Sequence, residues 1–293
     1  MSARYRELIE VIDLIKEKAY AKINLFLNVV KKRFDGYHDL EMVMAAIDLF
    51  DVLTFQKNDT KDIIINSNIE ITSNLEDNIV YKAAKLLKTK FSIDQGVTIN
   101  IEKKIPIAGG LAGGSADAAA TFRGLNKFWK LKLSLDEMAK LGLDLGADIP
   151  FCIYNKLCVA RGKGEELLFL ENRLKMPILL IYPNIKMSTK EVFSKIKTEQ
   201  IKERKINDMT SAIYNSNCEL MIRELHNSLE SIAFEMEPEI EKIKAEMIDL
   251  GLDGVLMSGS GSTVFGVSKD KTKLQYVYKI MNEDYFKLLT KIR

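Results

Sequence analysis

At 293 residues the chain is long enough for two domains or one large one, and 47% hydrophobic with 29% charged residues is the balance of a globular protein. A net charge of +2, with lysines spread along the chain, gives no case for a nucleic acid or an anionic membrane as partner. Three cysteines without a C-x-x-C pair argue against a disulfide framework and for a reducing cytosol, two histidines argue against a His-rich metal site, and no apolar run approaches the length of a membrane span.

Residues 1–17 are charged, with helical spacing at Leu8, Ile9, Ile12 and Ile15 and without the apolar core and cleavage site of a signal peptide. They read as a short appended helix or an extended start. From Lys18 to Val30 the pattern alternates, which predicts a strand and places Lys22 and Asn24 on one face. A lysine on a strand is usually solvated; one beside Asn24 among apolar neighbours has better claim to a role. Asp35-Gly36 marks a turn, and Tyr37-His38 after it fits either an aromatic platform for a ring-shaped ligand or a cover on a sheet edge. Strands are predicted over Leu40–Phe55, Ile63–Ile65 and Val97–Ile101. A helix is predicted over Ile79–Lys88, entered through the polar turn Asn74–Asn78, with Ala83, Ala84, Leu86 and Leu87 as its buried stripe.

The stretch Pro106-Ile107-Ala108-Gly109-Gly110-Leu111-Ala112-Gly113-Gly114-Ser115-Ala116-Asp117 is the centre of the sequence. Paired glycines permit positive φ and close approach of backbone to a ligand, and the alanine-rich helix that follows opens with unpaired N–H groups at the positive end of its dipole. Together these make an anion cradle of the kind that holds phosphate, with Ser115 favoured as the helix cap and Lys103 and Lys104 as flanking charge. A Walker A loop is excluded because Gly114 is followed by Ser115-Ala116, and a dinucleotide fingerprint fails at Ala112.

Further along, Leu135–Leu143 is predicted as a helix. Asp148 stands between Gly146-Ala147 and Ile149-Pro150-Phe151, either as a partly desolvated acid that needs a partner or as a turn cap. Val159–Gly164 is predicted as a tight turn and Pro177–Pro183 as a buried strand opening a second domain. Ser188-Thr189-Lys190-Glu191 reads as a capping box before Val192-Phe193. The charged run Lys195–Lys205 reads as a solvated helix or linker. Helices are predicted over Asp208–Ile222 and Pro238–Asp249, with Gly251 as the stop of the second. Val255–Gly266 is predicted as strand, small-residue turn and strand, open to close approach by another backbone or a substrate.

The Lys22 strand, the Pro106–Ala120 loop and the Met257–Gly266 turn, in this order, resemble the GHMP small-molecule kinases, over nearly all of the chain after residue 17. Ala21-Lys22-Ile23-Asn24-Leu25, Asp35-Gly36-Tyr37-His38, Gly146-Ala147-Asp148-Ile149-Pro150 and His226-Asn227-Ser228-Leu229-Glu230 are similar to the branch whose substrate is a cytidine diphosphate ester of methylerythritol. The resemblance implies an α+β fold of two domains, a ribosomal-protein-S5-like nucleotide domain over residues 18–170 and a ferredoxin-like domain over 171–293. The active site would lie in the cleft between them. It implies transfer of the γ-phosphate of ATP, with Mg²⁺, to the 2-hydroxyl of the methylerythritol moiety, a step toward isoprenoid precursors.

In that reading Asp148 is the general base and Lys22 its partner. Pro106, Ala108, Gly109, Gly110, Leu111, Ala112, Gly113, Gly114, Ser115 and Ala116 hold the ATP phosphates, Asn78 and Lys103 lie near the nucleotide, and Ser115 is the candidate Mg²⁺ ligand. Tyr37 and Phe193 sandwich the cytosine, His38 hydrogen-bonds to it, and Asn24, Lys163 and Thr189 line the rest. A monomer or a homodimer fits equally. Ala112 and Lys163 depart from the branch: an alanine is strained wherever positive φ is required, and Lys163 replaces a small or apolar residue. The other readings are a GHMP kinase for homoserine or mevalonate, against which the ring residues speak, and a non-catalytic sensor, against which Lys22 and Asp148 speak.

Overall fold

The computed structural model describes residues 14–171, 176–197 and 204–293. Its elements are, in order, β1 (Ile15–Lys32), β2 (His38–Lys57), β3 (Ile63–Ser67), α1 (Ile79–Lys90), β4 (Val97–Glu102), α2 (Gly113–Phe128), α3 (Leu135–Leu143), α4 (Ile149–Tyr154), β5 (Cys158–Gly162), β6 (Glu166–Phe169), β7 (Pro177–Tyr182), α5 (Thr189–Ser194), α6 (Asn207–Tyr214), α7 (Cys218–Arg223), β8 (His226–Asn227), α8 (Glu230–Met236), α9 (Pro238–Asp249), β9 (Gly254–Met257), β10 (Val264–Val267), α10 (Lys271–Ile280) and β11 (Phe286–Lys291). They build a seven-stranded mixed sheet and a four-stranded antiparallel one of order β11-β7-β10-β9.

In the larger sheet the order β3-β4-β2-β1-β8 runs across the middle. The long β2 serves two neighbours, pairing its first half with β5 (Met42 opposite Ala160) and its second with β4 (Leu53 opposite Ile101). The alternation of β1 is real, but residues 21–29 are buried on both faces. One face lies under α2; the other, carrying Lys22, Asn24 and Asn28, is covered from the second half of the chain. That half contributes β8 to this sheet, parallel to β1 with Asn227 opposite Leu27. A further bond between the halves runs from the Arg293 N–H to the Ala46 carbonyl. Apolar side chains of both sheets form one continuous core.

Local chemistry explains most boundaries. Asn78 caps α1 by accepting from the Val80 N–H, and Ser134 and Glu137 complete a capping box on α3. Ser188 caps α5 by accepting from the Glu191 N–H, which is the Ser188 half of the box expected there. Leu86 of the expected α1 stripe is only half-buried, and Val80 takes its place in the core.

Several expectations are corrected. Val159–Gly162 is strand, with the turn confined to the residues just after it, because β5 is held by the distant β2 and by β6. The helix expected over Asp208–Ile222 is two. Ser216 has φ of 54°, and Asn217 starts α7 afresh by accepting from the Leu220 N–H. Ser115 does not cap α2, which starts two residues earlier at Gly113 behind Ala112 and has no side-chain cap. Of the N-terminal stretch, residues 1–13 lie outside the described residues, while Ile15–Glu17 open β1, where Glu17 pairs with Arg123 and Lys127 of α2. The charged run Lys195–Lys205 falls largely outside them, at 198–203. No helix among the described residues is long and apolar enough to cross a membrane.

Candidate active site

The loop between β4 and α2 is held by its carbonyls. Ile107 O accepts from the Tyr182 hydroxyl (3.1 Å), Ala108 O from the Met187 N–H (3.0 Å), Gly109 O from the Thr263 N–H (3.2 Å), Gly110 O from the Ser258 hydroxyl (3.0 Å) and Leu111 O from the Lys22 N–H (3.1 Å). Every acceptor from 107 to 111 is thus engaged by the surrounding framework. Among the described residues no hydrogen bond is donated by a backbone N–H of residues 108–115. A row of free donors, ending on the first turn of α2, is an anion nest.

The nest is shaped by alternating positive φ: 55° at Ala108, 77° at Gly110 and 55° at Ala112. The glycines were the expected bearers of this geometry, yet Gly109, Gly113 and Gly114 do not use it, and two alanines do. The left-handed region costs a non-glycine residue roughly 1–2 kcal/mol, which the five anchored carbonyls sustain. Gly110 is required for a second reason. A Cβ there would lie 2.1 Å from Ser258 O, so only glycine lets the loop lie against the β9–β10 turn.

Lys22 arrives from β1 just after a bulge, 5% exposed. It forms no ion pair with Asp148 among the described residues; its ammonium donates to Asn24 Oδ1 at 2.7 Å. Gly259 makes room for it, since a Cβ there would stand 3.2 Å from Lys22 Nζ. Asp148 sits at the start of α4 and makes no capping bond, so the turn-cap reading fails. The buried Cys152 thiol, one turn into α4, reports on both charges. Burial pushes its pKa up, the Asp148 carboxylate pushes it further and the Lys22 ammonium pulls it back.

Lys103 does not lend its charge to the loop. Its buried ammonium is held by Asp51 Oδ2 (2.5 Å) and Asp117 Oδ2 (2.7 Å), and the two acids together outweigh burial to raise its pKa. Asp51 also accepts from the N–H groups of Lys104 and Ile105, leading the chain into the loop. Burial pushes the Asp117 carboxyl above the usual carboxylate range; Lys103 pulls it back and Asp51 pushes it further up. This triad is the strut beneath the first turn of α2: a Cβ on Gly113 would be 3.5 Å from Lys103 Nζ. Asn78 is likewise tied up as the cap of α1.

One cavity of about 1040 Å³ is lined by Lys22, Asn24, Tyr37, His38, Asn78, Lys103, Asp148, Lys163, Thr189, Phe193 and loop residues 106–115. Ala116, the last of the expected loop residues, is buried in α2 behind it. A depression of about 430 Å³ beside residues 65–78 meets the cavity at Ile71 and Asn78. At the opposite end His38 and Phe193 face each other with ring centroids 5.6 Å apart, and the exposed Tyr37 ring carries Lys163 Nζ 4.7 Å from its centre. The Thr189 hydroxyl bonds the Ser260 hydroxyl at 2.9 Å. His38 is held below the usual imidazole range by burial and by the Lys32 charge, which keeps the ring neutral. Sequence reasoning missed the partners of the loop: Ser258, Thr263, Met187 and Tyr182. The small-residue turn at 258–263 was the visible trace of two of them; nothing local marks the others.

Residues 78–156 match the GHMP kinases N terminal domain and residues 209–287 the GHMP kinases C terminal domain. The 4-diphosphocytidyl-2-C-methyl-D-erythritol kinase of Bacillus pumilus is 45% identical over 90% of this chain and 91% of its own. That of Bacillus subtilis strain 168 is 42% identical over the same shares. A crystal structure of 4-(cytidine 5'-diphospho)-2C-methyl-D-erythritol kinase superposes with a TM-score of 0.81 at 29% identity, covering 95% of this chain and 99% of that one. With its nest of free N–H groups, its lysine and its acid around one cavity, this chain belongs to the 4-diphosphocytidyl-2-C-methyl-D-erythritol kinase family of the GHMP kinases.

Proposed function

We propose that this chain transfers the γ-phosphate of ATP to the 2-hydroxyl of 4-diphosphocytidyl-2-C-methyl-D-erythritol. The observation that carries the reading is the polarity of the 107–115 loop, with its carbonyls anchored outward and its N–H groups free, in a cavity shared with Lys22, Asp148 and the Tyr37–His38–Phe193 rings. Phosphoryl transfer proceeds through a loose transition state, so positioning and electrostatics carry the catalysis. The N–H groups of residues 108–115 hold the β- and γ-phosphates, with Pro106 and Ala116 bounding the loop. The Asp148 carboxylate accepts the proton of the attacking hydroxyl. Lys22, oriented by Asn24, offsets charge on the transferring group.

Tyr37 and Phe193 flank the cytosine, neutral His38 hydrogen-bonds to it, and Asn24, Lys163 and Thr189 line the remainder. The 65–78 depression gives the adenosine room beyond Asn78. Mg²⁺, held at this site, would supply positive charge to offset that of the phosphates. Of the chain's own groups the Ser115 hydroxyl fits it, since it lines the cavity and has no hydrogen bond among the described residues. Residues 18–170 act as the nucleotide domain and 171–293 as its lid-side partner, with β8 crossing back between them, in a protein of the cytosol.

The test is turnover followed by ³¹P NMR with ATP, Mg²⁺ and the cytidyl substrate, beside homoserine and mevalonate as competing acceptors. Only the cytidyl compound is phosphorylated, and Asp148→Asn lowers kcat by about a hundredfold to ten-thousandfold while an ATP analogue still binds. An unimpaired Asp148→Asn protein sinks the assigned base, and turnover of homoserine alone sinks the substrate.

A further inference from the structure

The segment His226–Glu230 marks the family branch in the sequence, yet none of its side chains has a part in the chemistry described so far. The structure gives Asn227 an unusual set of bonds. It sits on β8 beside β1, 4% exposed. Its Nδ2 donates both protons across to the second sheet, to Met257 O (2.8 Å) and Gly259 O (2.8 Å), and its Oδ1 accepts from the Leu229 N–H (2.9 Å). Three residues on, Glu230 grips the same stretch from the other side, accepting from the Met257 N–H at 2.9 Å while its second oxygen pairs with Lys244 at 2.6 Å.

The backbone held in this way is the β9–β10 turn. Its Ser258 hydroxyl donates to Gly110 O, its Gly259 abuts Lys22 Nζ, and its Ser260 hydroxyl bonds Thr189. A single turn thus supports the phosphate nest, the catalytic cation and the substrate end at once, and among the described residues Asn227 is the one side chain that fixes two carbonyls of this stretch, Met257 O and Gly259 O. We propose that Asn227 is a positioning residue for phosphoryl transfer: it holds the turn at 258–261 as the common floor that sets the Lys22 ammonium against the phosphate nest. A latch that merely joined the two sheets would not need to grip the residue packed against Lys22. Gly259 has φ of 57° and leaves no room for a Cβ between Lys22 Nζ and Gly110 O, which would lie 3.2 and 2.9 Å away.

The proposal rests on Lys22 and the loop being the phosphoryl-transfer machinery, so wild-type turnover is measured first; its absence refutes that assignment and not this one. Asn227→Ala, Lys22→Met and the double variant are then compared by steady-state kinetics. A misplacement of the order of 1 Å can cost about a hundredfold, so Asn227→Ala is expected to lower kcat about tenfold or more. KM for the cytidyl substrate stays within about twofold, and the double variant is no slower than Lys22→Met alone, because both act on one interaction. Val277→Ala in the core of α10 is the stability control, destabilised without loss of kcat at 25 °C.

Losses in Asn227→Ala and Lys22→Met that multiply overturn the proposal, as does a fall in kcat no larger than the control shows. Should Asn227→Ala fail to fold, Ser258→Ala removes only the hydroxyl that ties the turn to Gly110 O. It is expected to lower kcat about threefold with substrate KM unchanged, and an unchanged kcat there overturns the proposal.

Discussion

Replacing Gly110 by alanine puts the packing of the proposed phosphate loop to its sharpest test. The residue has φ of 77°, where a Cβ costs about 1–2 kcal/mol, and that Cβ would lie 2.1 Å from Ser258 O and 2.9 Å from Gly261 O. Both are main-chain oxygens of a turn clamped by Asn227, so neither can swing aside as a side-chain tip would. Loop and turn must part by about 1 Å, which is overpacking of about 1–3 kcal/mol. The Ser258–Gly110 and Thr263–Gly109 bonds, at about 1 kcal/mol each, are stretched or lost with it. The smaller entropy of the unfolded alanine chain returns only about 0.4–1 kcal/mol.

A net loss of about 3–6 kcal/mol should lower Tm by about 6 °C or more, as 2–4 °C per kcal/mol is usual for chains of roughly this size. Binding of an ATP analogue should weaken by more than about tenfold, since the N–H groups no longer converge. Gly114→Ala is the control. Its Cβ would meet only Ile79 Cγ2 at 3.7 Å, an ordinary contact, so its Tm should stay within about 2 °C. Thermal unfolding by circular dichroism and calorimetric titration with the analogue read both quantities. If Gly110→Ala melts with the parent and binds nucleotide equally well, the account of the loop as a sheet of donors pinned from behind is wrong.

The strain at Ala112 predicts an order among substitutions: Ala112→Gly should melt no lower than the parent, and Ala112→Val several degrees lower, since a β-branched residue tolerates φ of 55° least. Lys103→Met should cost about 3–5 kcal/mol in denaturant unfolding because it strands Asp51 and Asp117 in the interior, and adding Asp117→Asn should recover part of that loss; a fully stable Lys103→Met would refute the strut. Lys163→Met should raise KM for the cytidyl substrate about two- to fivefold with kcat unchanged, and Lys163→Arg should restore it, if the ammonium steadies the Tyr37 ring. His226, pushed down to about 4 by burial and then by the charges of Arg204 and Lys244, binds its proton more readily unfolded than folded. Its contribution is present above pH 6.5 and is lost as pH falls from 6.5 toward 4. The stability difference between the parent and His226→Gln should therefore grow against the parent only in that window, as read by urea unfolding across pH.

Much of the molecule was legible in one dimension because the relevant physics is local. The alternation of Ala19–Val29 made β1, the helical stripes and caps made α1 and α3, Pro238 opened α9, and the run of glycines and alanines marked the loop proposed to hold phosphate. The same holds for the strand–turn–strand at 254–267, whose small residues signalled close approach without naming what approaches. Tertiary structure decided what those elements were for. Whether Lys103 or Lys22 keeps a usable charge depends on Asp51 and Asp117, which lie 52 and 14 residues from Lys103 in the chain. Val159–Gly162 became a strand only because β2 offered it an edge. Ala108 and Ala112 took the left-handed geometry in preference to their glycine neighbours, because the carbonyls of 107–111 are drawn outward by Tyr182, Met187, Thr263, Ser258 and Lys22. A sequence states which conformations each residue tolerates; which one it occupies is fixed by partners that only folding brings within 3 Å.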